Sequence, residues 1–154
     1  MREEELTTAE NLPQLMLEGQ LCFPLYAAAR QVVNFYTPRL KPLGLTYTQY
    51  VVFLCLWEYG ETTVGTLCRR LYLDNGTITP LIKKMEREGY VTRTRDRNDE
   101  RVVNIRLTEK GWAVRDQVKD IPMEIGECVS LSREEALTLY RLLRRMLDGG
   151  RDGD

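Results

Sequence analysis

The stretch DNGTITPLIKKMEREGYVTRTRDRNDERVVNIRL, residues 74–107, changes its hydrophobic rhythm half-way along. In its first part Ile78, Leu81, Ile82 and Met85 fall on one face of a helix running from about Asn75 or Thr77 to Glu88. Pro80 sits in the first turn or two, where a missing N–H is tolerated best, and Gly89 ends the segment. From Tyr90 to Arg95 and again from Val102 to Leu107, valines and isoleucine mix with polar residues in a β-type pattern. Between these runs Asp96 to Arg101 is wholly polar. The reading is a helix followed by a β-hairpin with a charged tip.

Upstream, Val64, Leu67, Cys68 and Leu71 line one face of a short amphipathic helix that Thr62 or Thr63 can cap. Thr46 with Gln49 three residues on is a capping-box pattern, and the strongly apolar run Tyr50 to Trp57 follows it up to Gly60. Gln14 to Tyr36 reads as a further helix with Leu15, Leu21, Leu25, Ala28 and Val32 at helical spacings. Pro24 inside it is expected to kink it or cost a hydrogen bond, and Thr37-Pro38 to end it. Downstream, Thr108 opens a helix reaching Pro122. Ser132 with Glu135 caps a last helix whose apolar stripe is Ala136, Leu139, Leu142, Leu143, Met146 and Leu147.

The net charge of −1 hides an uneven distribution. Residues 69–106 carry ten basic and six acidic groups, whereas residues 1–20 carry one basic and five acidic. An anionic partner therefore belongs at 69–106. The 154 residues contain no His, and Cys22, Cys55, Cys68 and Cys128 are widely spaced with no CxxC pair. That is a poor zinc site and a poor disulfide framework, and it removes the usual general base of a Ser-His or Cys-His nucleophile. No metal, no cofactor and no enzymatic activity are expected. No apolar run approaches the roughly 20 residues of a membrane span, and the acidic start lacks a signal peptide's apolar core. A cytoplasmic protein is the expectation.

Three short helices and then a two-stranded ribbon with a basic tip form a winged helix-turn-helix pattern. The major groove admits one α-helix, whose leading end must present small polar groups. Asn75, Gly76, Thr77 and Thr79 supply that end, and Lys83, Lys84 and Arg87 follow toward the DNA backbone. Arg95, Arg97 and Arg101 on the wing can reach the adjacent minor groove or its phosphates. A solvated helix and hairpin would carry similar charge. The order of the elements, with basic residues on both, favours double-stranded operator DNA as partner.

These residues also carry a resemblance. Asp99-Glu100-Arg101 in the wing, Leu107-Thr108-Glu109-Lys110-Gly111 after it, and Leu73 to Glu86 resemble the MarR family of winged-helix repressors. Gln20-Leu21-Cys22-Phe23-Pro24-Leu25-Tyr26 and Leu45 to Tyr50 are similar to its organic hydroperoxide sensor branch, OhrR. The resemblance implies a mainly α fold with a small β-hairpin wing and one domain over 1–154. Within it the winged helix-turn-helix lobe spans 45–107, and dimerisation helices span 13–40 and 108–148. It further implies a homodimer that leaves DNA when an organic hydroperoxide oxidises Cys22.

In that branch Tyr36 and Tyr47 occupy positions that hydrogen-bond the reactive sulfur. A phenol donating to sulfur stabilises the thiolate and raises its reactive fraction. Cys128 lies in the region where some members carry a resolving cysteine. Cys55 and Cys68 read as small core residues. Two other readings stand beside this one. The first is a repressor relieved by a small aromatic ligand in a pocket lined by Phe23, Tyr26, Phe35 and Trp57. The second is a thiol peroxidase, which the missing His disfavours.

Overall fold

The structure is a computed structural model and describes residues 12–149. The acidic N-terminal run and the charged tail after Gly149 lie outside the described residues. Two short 3-10 turns, Pro13–Leu15 and Leu17–Gly19, lead into α1 (Cys22–Leu40). Then follow α2 (Tyr47–Tyr59), β1 (Thr62–Thr63), α3 (Val64–Leu71), α4 (Asn75–Arg87), β2 (Val91–Arg95), β3 (Val103–Leu107), α5 (Glu109–Val118), α6 (Ile121–Cys128) and α7 (Arg133–Gly149).

The caps expected from sequence position most of the helices. At α2 the Thr46 side chain accepts from Gln49 N while Gln49 Oε1 accepts from Thr46 N, closing the capping box. Thr63 caps α3 by accepting from Thr66 N, and Thr108 caps α5 by accepting from Gly111 N. Ser132 and Glu135 form the second capping box ahead of α7. Gly89, with φ +81°, takes the left-handed turn that carries α4 into β2.

Three prolines and a strand depart from the expected pattern. The first long helix begins at Cys22, not Gln14, so Pro24 falls in its first turn and breaks nothing. It runs on to Leu40 through Pro38, which expectation had placed past its end. Thr37 Oγ1 donates to Val33 O and Arg39 donates to Phe35 O, so side chains serve the carbonyls around the proline. The helix opened by Thr108 stops at Val118. Pro122 is not its end but lies at the start of a separate helix, α6. The hairpin gains a third strand: β1 pairs antiparallel with β3, giving the order β1-β3-β2.

The core lies where α2 meets α3, α4 and the sheet. Phe53, Val52 and Leu56 of α2 pack with Leu67 of α3, Ile78, Ile82 and Met85 of α4, and Val91 and Ile105 of the sheet, all buried. Leu40, Val114, Val118, Ile121 and Ile125 continue it toward α1, α5 and α6. Buried Gln49 donates from Nε2 to Glu88 Oε2 at 2.8 Å, tying the start of α2 to the end of α4. No helix of the described residues is long and apolar enough to cross a membrane.

Two helical faces find no cover among the described residues. Among the described residues none of α7 is buried, and Leu137, Leu139, Tyr140, Leu142, Met146 and Leu147 are all exposed. Leu21, Phe23 and Tyr26 leave the N-terminal half of α1 equally bare.

Candidate nucleic-acid interface and thiol site

The turn between α3 and α4 sets the leading end of α4. Tyr72 is the only non-glycine among the described residues with positive φ, at +54°. It reverses the chain after α3, with Leu73 N donating to Cys68 O. Asp74 then caps α4, its Oδ1 accepting from Thr77 N at 2.7 Å. Asn75, Gly76 and Thr77 therefore open the helix, and all three are exposed. Thr79 is half-buried, and Lys83 and Arg87 stand on the outer face. Lys84 is partly engaged by Glu88 at 3.9 Å. Cys68 donates to Asn75 Oδ1 at 3.4 Å, so this thiol holds the first helical side chain in place. Replacing Asp74 with alanine is expected to cost about 1 kcal/mol of stability, measured by urea unfolding, by removing the side-chain cap and leaving the Thr77 amide only its longer bond to Asp74 O at 3.2 Å.

The wing's tip is organised by its own acids. Asp96 Oδ1 accepts from the backbone N–H of Asn98 and Asp99, and Asp99 Oδ1 accepts from that of Arg101. The N–H groups of Asn98 and then Asp99 hold the Asp96 carboxyl below its ordinary range. Arg95, Arg97 and Arg101 are exposed around this tip.

The thiol site is not assembled within one chain. Cys22 is exposed as the first residue of α1. Tyr36 stands fourteen residues further along the same helix, about 21 Å away at 1.5 Å per residue. Tyr47 of α2 does lie against Tyr36, with ring centroids 5.0 Å apart. A third phenol, Tyr50, completes the cluster at 5.2 Å from Tyr36 and 6.1 Å from Tyr47. Sequence reasoning placed Tyr50 only in an apolar run. Its position three residues after Tyr47, one helical turn on, was the available signal. Burial raises all three phenols above the ordinary tyrosine range, most strongly Tyr50. They remain protonated, and so able to donate, throughout the neutral range.

Cys128 ends α6, half-buried against α1. Arg39 donates to its sulfur at 3.8 Å while its Nε donates to Glu124 at 2.6 Å. Beside Cys128 is a cavity of about 240 Å3 lined by Ala28, Gln31, Val32 and Phe35 of α1. Cys55 is buried and Cys68 half-buried, and desolvation raises both thiols above the ordinary range. Among the described residues no group of acids and cysteines could hold a metal ion.

The four aromatic residues expected around a ligand pocket are dispersed. Trp57 stacks on Phe53 at 5.2 Å and donates to Gly111 O. Phe23 and Phe35 stand about 18 Å apart along α1.

Residues 34–118 match the family model described as transcriptional regulator SarA/Rot. The organic hydroperoxide resistance transcriptional regulator of Bacillus subtilis is 44% identical over 83% of this chain and 85% of its own length. AbfR of Staphylococcus epidermidis has been solved reduced and bound to DNA. It superposes with a TM-score of 0.74 at 35% identity, covering 88% of this chain and 96% of that one. AbfR has also been solved in a disulfide form, with a TM-score of 0.62, 32% identity and coverage of 92% and 97%. The chain belongs to the SarA/Rot family of transcriptional regulators and has the MarR-like winged-helix fold.

Proposed function

We propose that this regulator is a redox-responsive repressor: as a reduced homodimer it holds operator DNA, and oxidation of Cys22 by an organic hydroperoxide releases it. The observation that carries this reading is the separation of the exposed sulfur from its phenols along α1. Two α1 helices paired antiparallel about a two-fold axis bring Cys22 of each chain to the Tyr36–Tyr47–Tyr50 cluster of the other, reciprocally. The midpoint of that pairing falls at Ala29, the last of three consecutive alanines, whose small side chain lets the helices approach closely. The bare apolar faces of α1 and α7 supply the remaining interface. Arg95, Arg97 and Arg101 on each wing, and Asn75, Gly76, Thr77, Thr79, Lys83, Lys84 and Arg87 on each α4, face the DNA. A repressor of this kind works in the cytoplasm.

The chemistry balances within the dimer. The Cys22 thiolate attacks one peroxide oxygen, the O–O bond breaks, and the alkoxide leaves as alcohol after taking a proton. Sulfur is oxidised to sulfenic acid. The partner's Cys128 thiol then displaces water to give a disulfide. Both the raised Cys55 and Cys68 thiols and the exposure of Cys22 favour position 22 as the first site of attack. The B. subtilis relative's role in organic hydroperoxide resistance supports the inducer class, and the reduced and disulfide forms of AbfR support the two states.

The test is operator binding by Cys22→Ser with and without cumene hydroperoxide. The wild-type protein is expected to lose about 30- to 150-fold in affinity, a coupling of ordinary allosteric size, and the variant to lose nothing. Release of DNA by the oxidised variant would end the sensor reading.

A further inference from the structure

Between the recognition helix and the wing is a cavity of about 410 Å3 whose wall is unusually one-signed. Arg69 of α3, Arg93 of β2 and Arg101 line it together with Thr63, Asn75 and Thr79, and no carboxylate is among its lining residues. Arg69 and Arg93 are not wing-tip residues and do not stand on α4. Arg93 is on the inner face of β2, where strand alternation turns it toward α4. Its Nε is buried and 3.3 Å from Glu86 Oε2, an ion pair too poorly aligned to count as a hydrogen bond. Arg69 donates to Thr66 Oγ1 at 3.1 Å, which steers its guanidinium along the outside of α3.

The position of the cavity decides its occupant. A recognition helix in the major groove and a wing in the adjacent minor groove straddle one sugar-phosphate strand, because that strand is what separates the two grooves. The strand must cross the gap between α4 and the wing, and that gap is this cavity. We infer that the cavity seats an operator phosphate, gripped by Arg69 and Arg93, with the Thr79 hydroxyl and the Asn75 amide as neutral donors. This rests on the DNA-binding reading above and adds to it two cations and a specific strand position. The phosphate contact fixes the depth and angle of α4 and carries no base information.

The alternative for Arg93 is a strut: its pairing with Glu86 would merely hold the wing against α4. Three variants separate the roles. Operator binding is titrated against salt for wild type, Arg69→Gln, Arg93→Gln and Glu86→Gln. Each arginine variant is expected to bind about tenfold more weakly, the fold-change of one charge-assisted hydrogen bond. The slope of log affinity against log salt should fall by about one unit in each. Glu86→Gln breaks the same ion pair but removes a negative charge near DNA, so it is expected to bind as well as wild type or better.

A second arm replaces single operator phosphates by neutral methylphosphonates on the strand crossing between the grooves. One position should weaken the wild type about tenfold and leave Arg93→Gln without further loss, as two changes to one contact do. Equal weakening by Glu86→Gln and Arg93→Gln with an unchanged salt slope would overturn the proposal in favour of the strut. So would losses from the methylphosphonate and Arg93→Gln that simply add at every position. Failure of wild type to bind any operator would instead remove the DNA reading itself.

Discussion

Gly111→Ala is expected to destabilise the protein by about 3 kcal/mol, the upper end of the usual overpacking cost. A Cβ at this position would lie 2.2 Å from Tyr90 O and 2.8 Å from Leu107 Cδ2. The leucine tip can rotate away, but the carbonyl cannot. Tyr90 O already accepts from Thr108 N at 3.0 Å and from Thr108 Oγ1 at 3.1 Å, and those bonds fix the start of α5 on the sheet. Relief therefore requires α5 to lift away, which also strains the bond from Trp57 Nε1 to Gly111 O. For a chain of this size the loss corresponds to a fall in Tm of roughly 6–12 °C at fixed protein concentration. Gly126→Ala is the control. Nothing lies within 4 Å of a Cβ there, and within α6 alanine should gain up to about 1 kcal/mol. A cost below about 1 kcal/mol at position 111 would mean that α5 sits further from the sheet than this packing requires.

The same residue shows what a sequence can and cannot disclose. Leu107-Thr108-Glu109-Lys110-Gly111 announces a capped helix after the wing, and the cap is there. That the glycine is needed for its missing Cβ follows only from the approach of the Tyr90 carbonyl, which is a tertiary fact. Thr46, Thr63 and Ser132 were legible because a cap is satisfied within four residues of chain. The prolines were not, because their effect depends on where a helix starts. Pro24 is harmless only because α1 begins at Cys22, and Pro38 is carried because neighbouring side chains serve the carbonyls around it. Strand β1, two residues long, is too short for alternation to register. It exists because β3 offers an edge to it.

The resemblance singles out Cys22, Tyr36 and Tyr47, whereas residue type alone reads them as a small core thiol and two core phenols. A helical rise of fourteen positions separates the first two and keeps them apart within one chain. Arg69 and Arg93 counted toward the basic middle of the sequence, yet nothing in their spacing tells that they line one cleft. That depends on the strand alternation of β2 and on how α3 lies across α4.

The geometry of Cys128 leads to a sharp expectation about oxidised protein. Val32 and Phe35, which flank Cys128, stand about 15 and about 20 Å along α1 from Cys22. A disulfide requires Cα atoms within about 7 Å, so Cys22 and Cys128 of one chain cannot pair without dismantling α1. In the proposed antiparallel pairing of two α1 helices the relation reverses. A sulfur delivered to the partner's Tyr36 arrives one residue from the partner's Phe35, the neighbour of Cys128. Nearly all wild-type protein treated with one equivalent of organic hydroperoxide per chain should then run as a covalent dimer on a non-reducing gel and return to monomer with dithiothreitol. Both Cys22→Ser and Cys128→Ser should stay monomeric, and mass spectrometry of the latter should show Cys22 carrying one added oxygen or a small-thiol adduct. Covalent dimer from Cys128→Ser would assign the bridge to another sulfur. Wild-type protein that remains monomeric with an oxygen on Cys22 would give the Cys128 sulfur, 3.8 Å from Arg39, a packing role in place of a redox one.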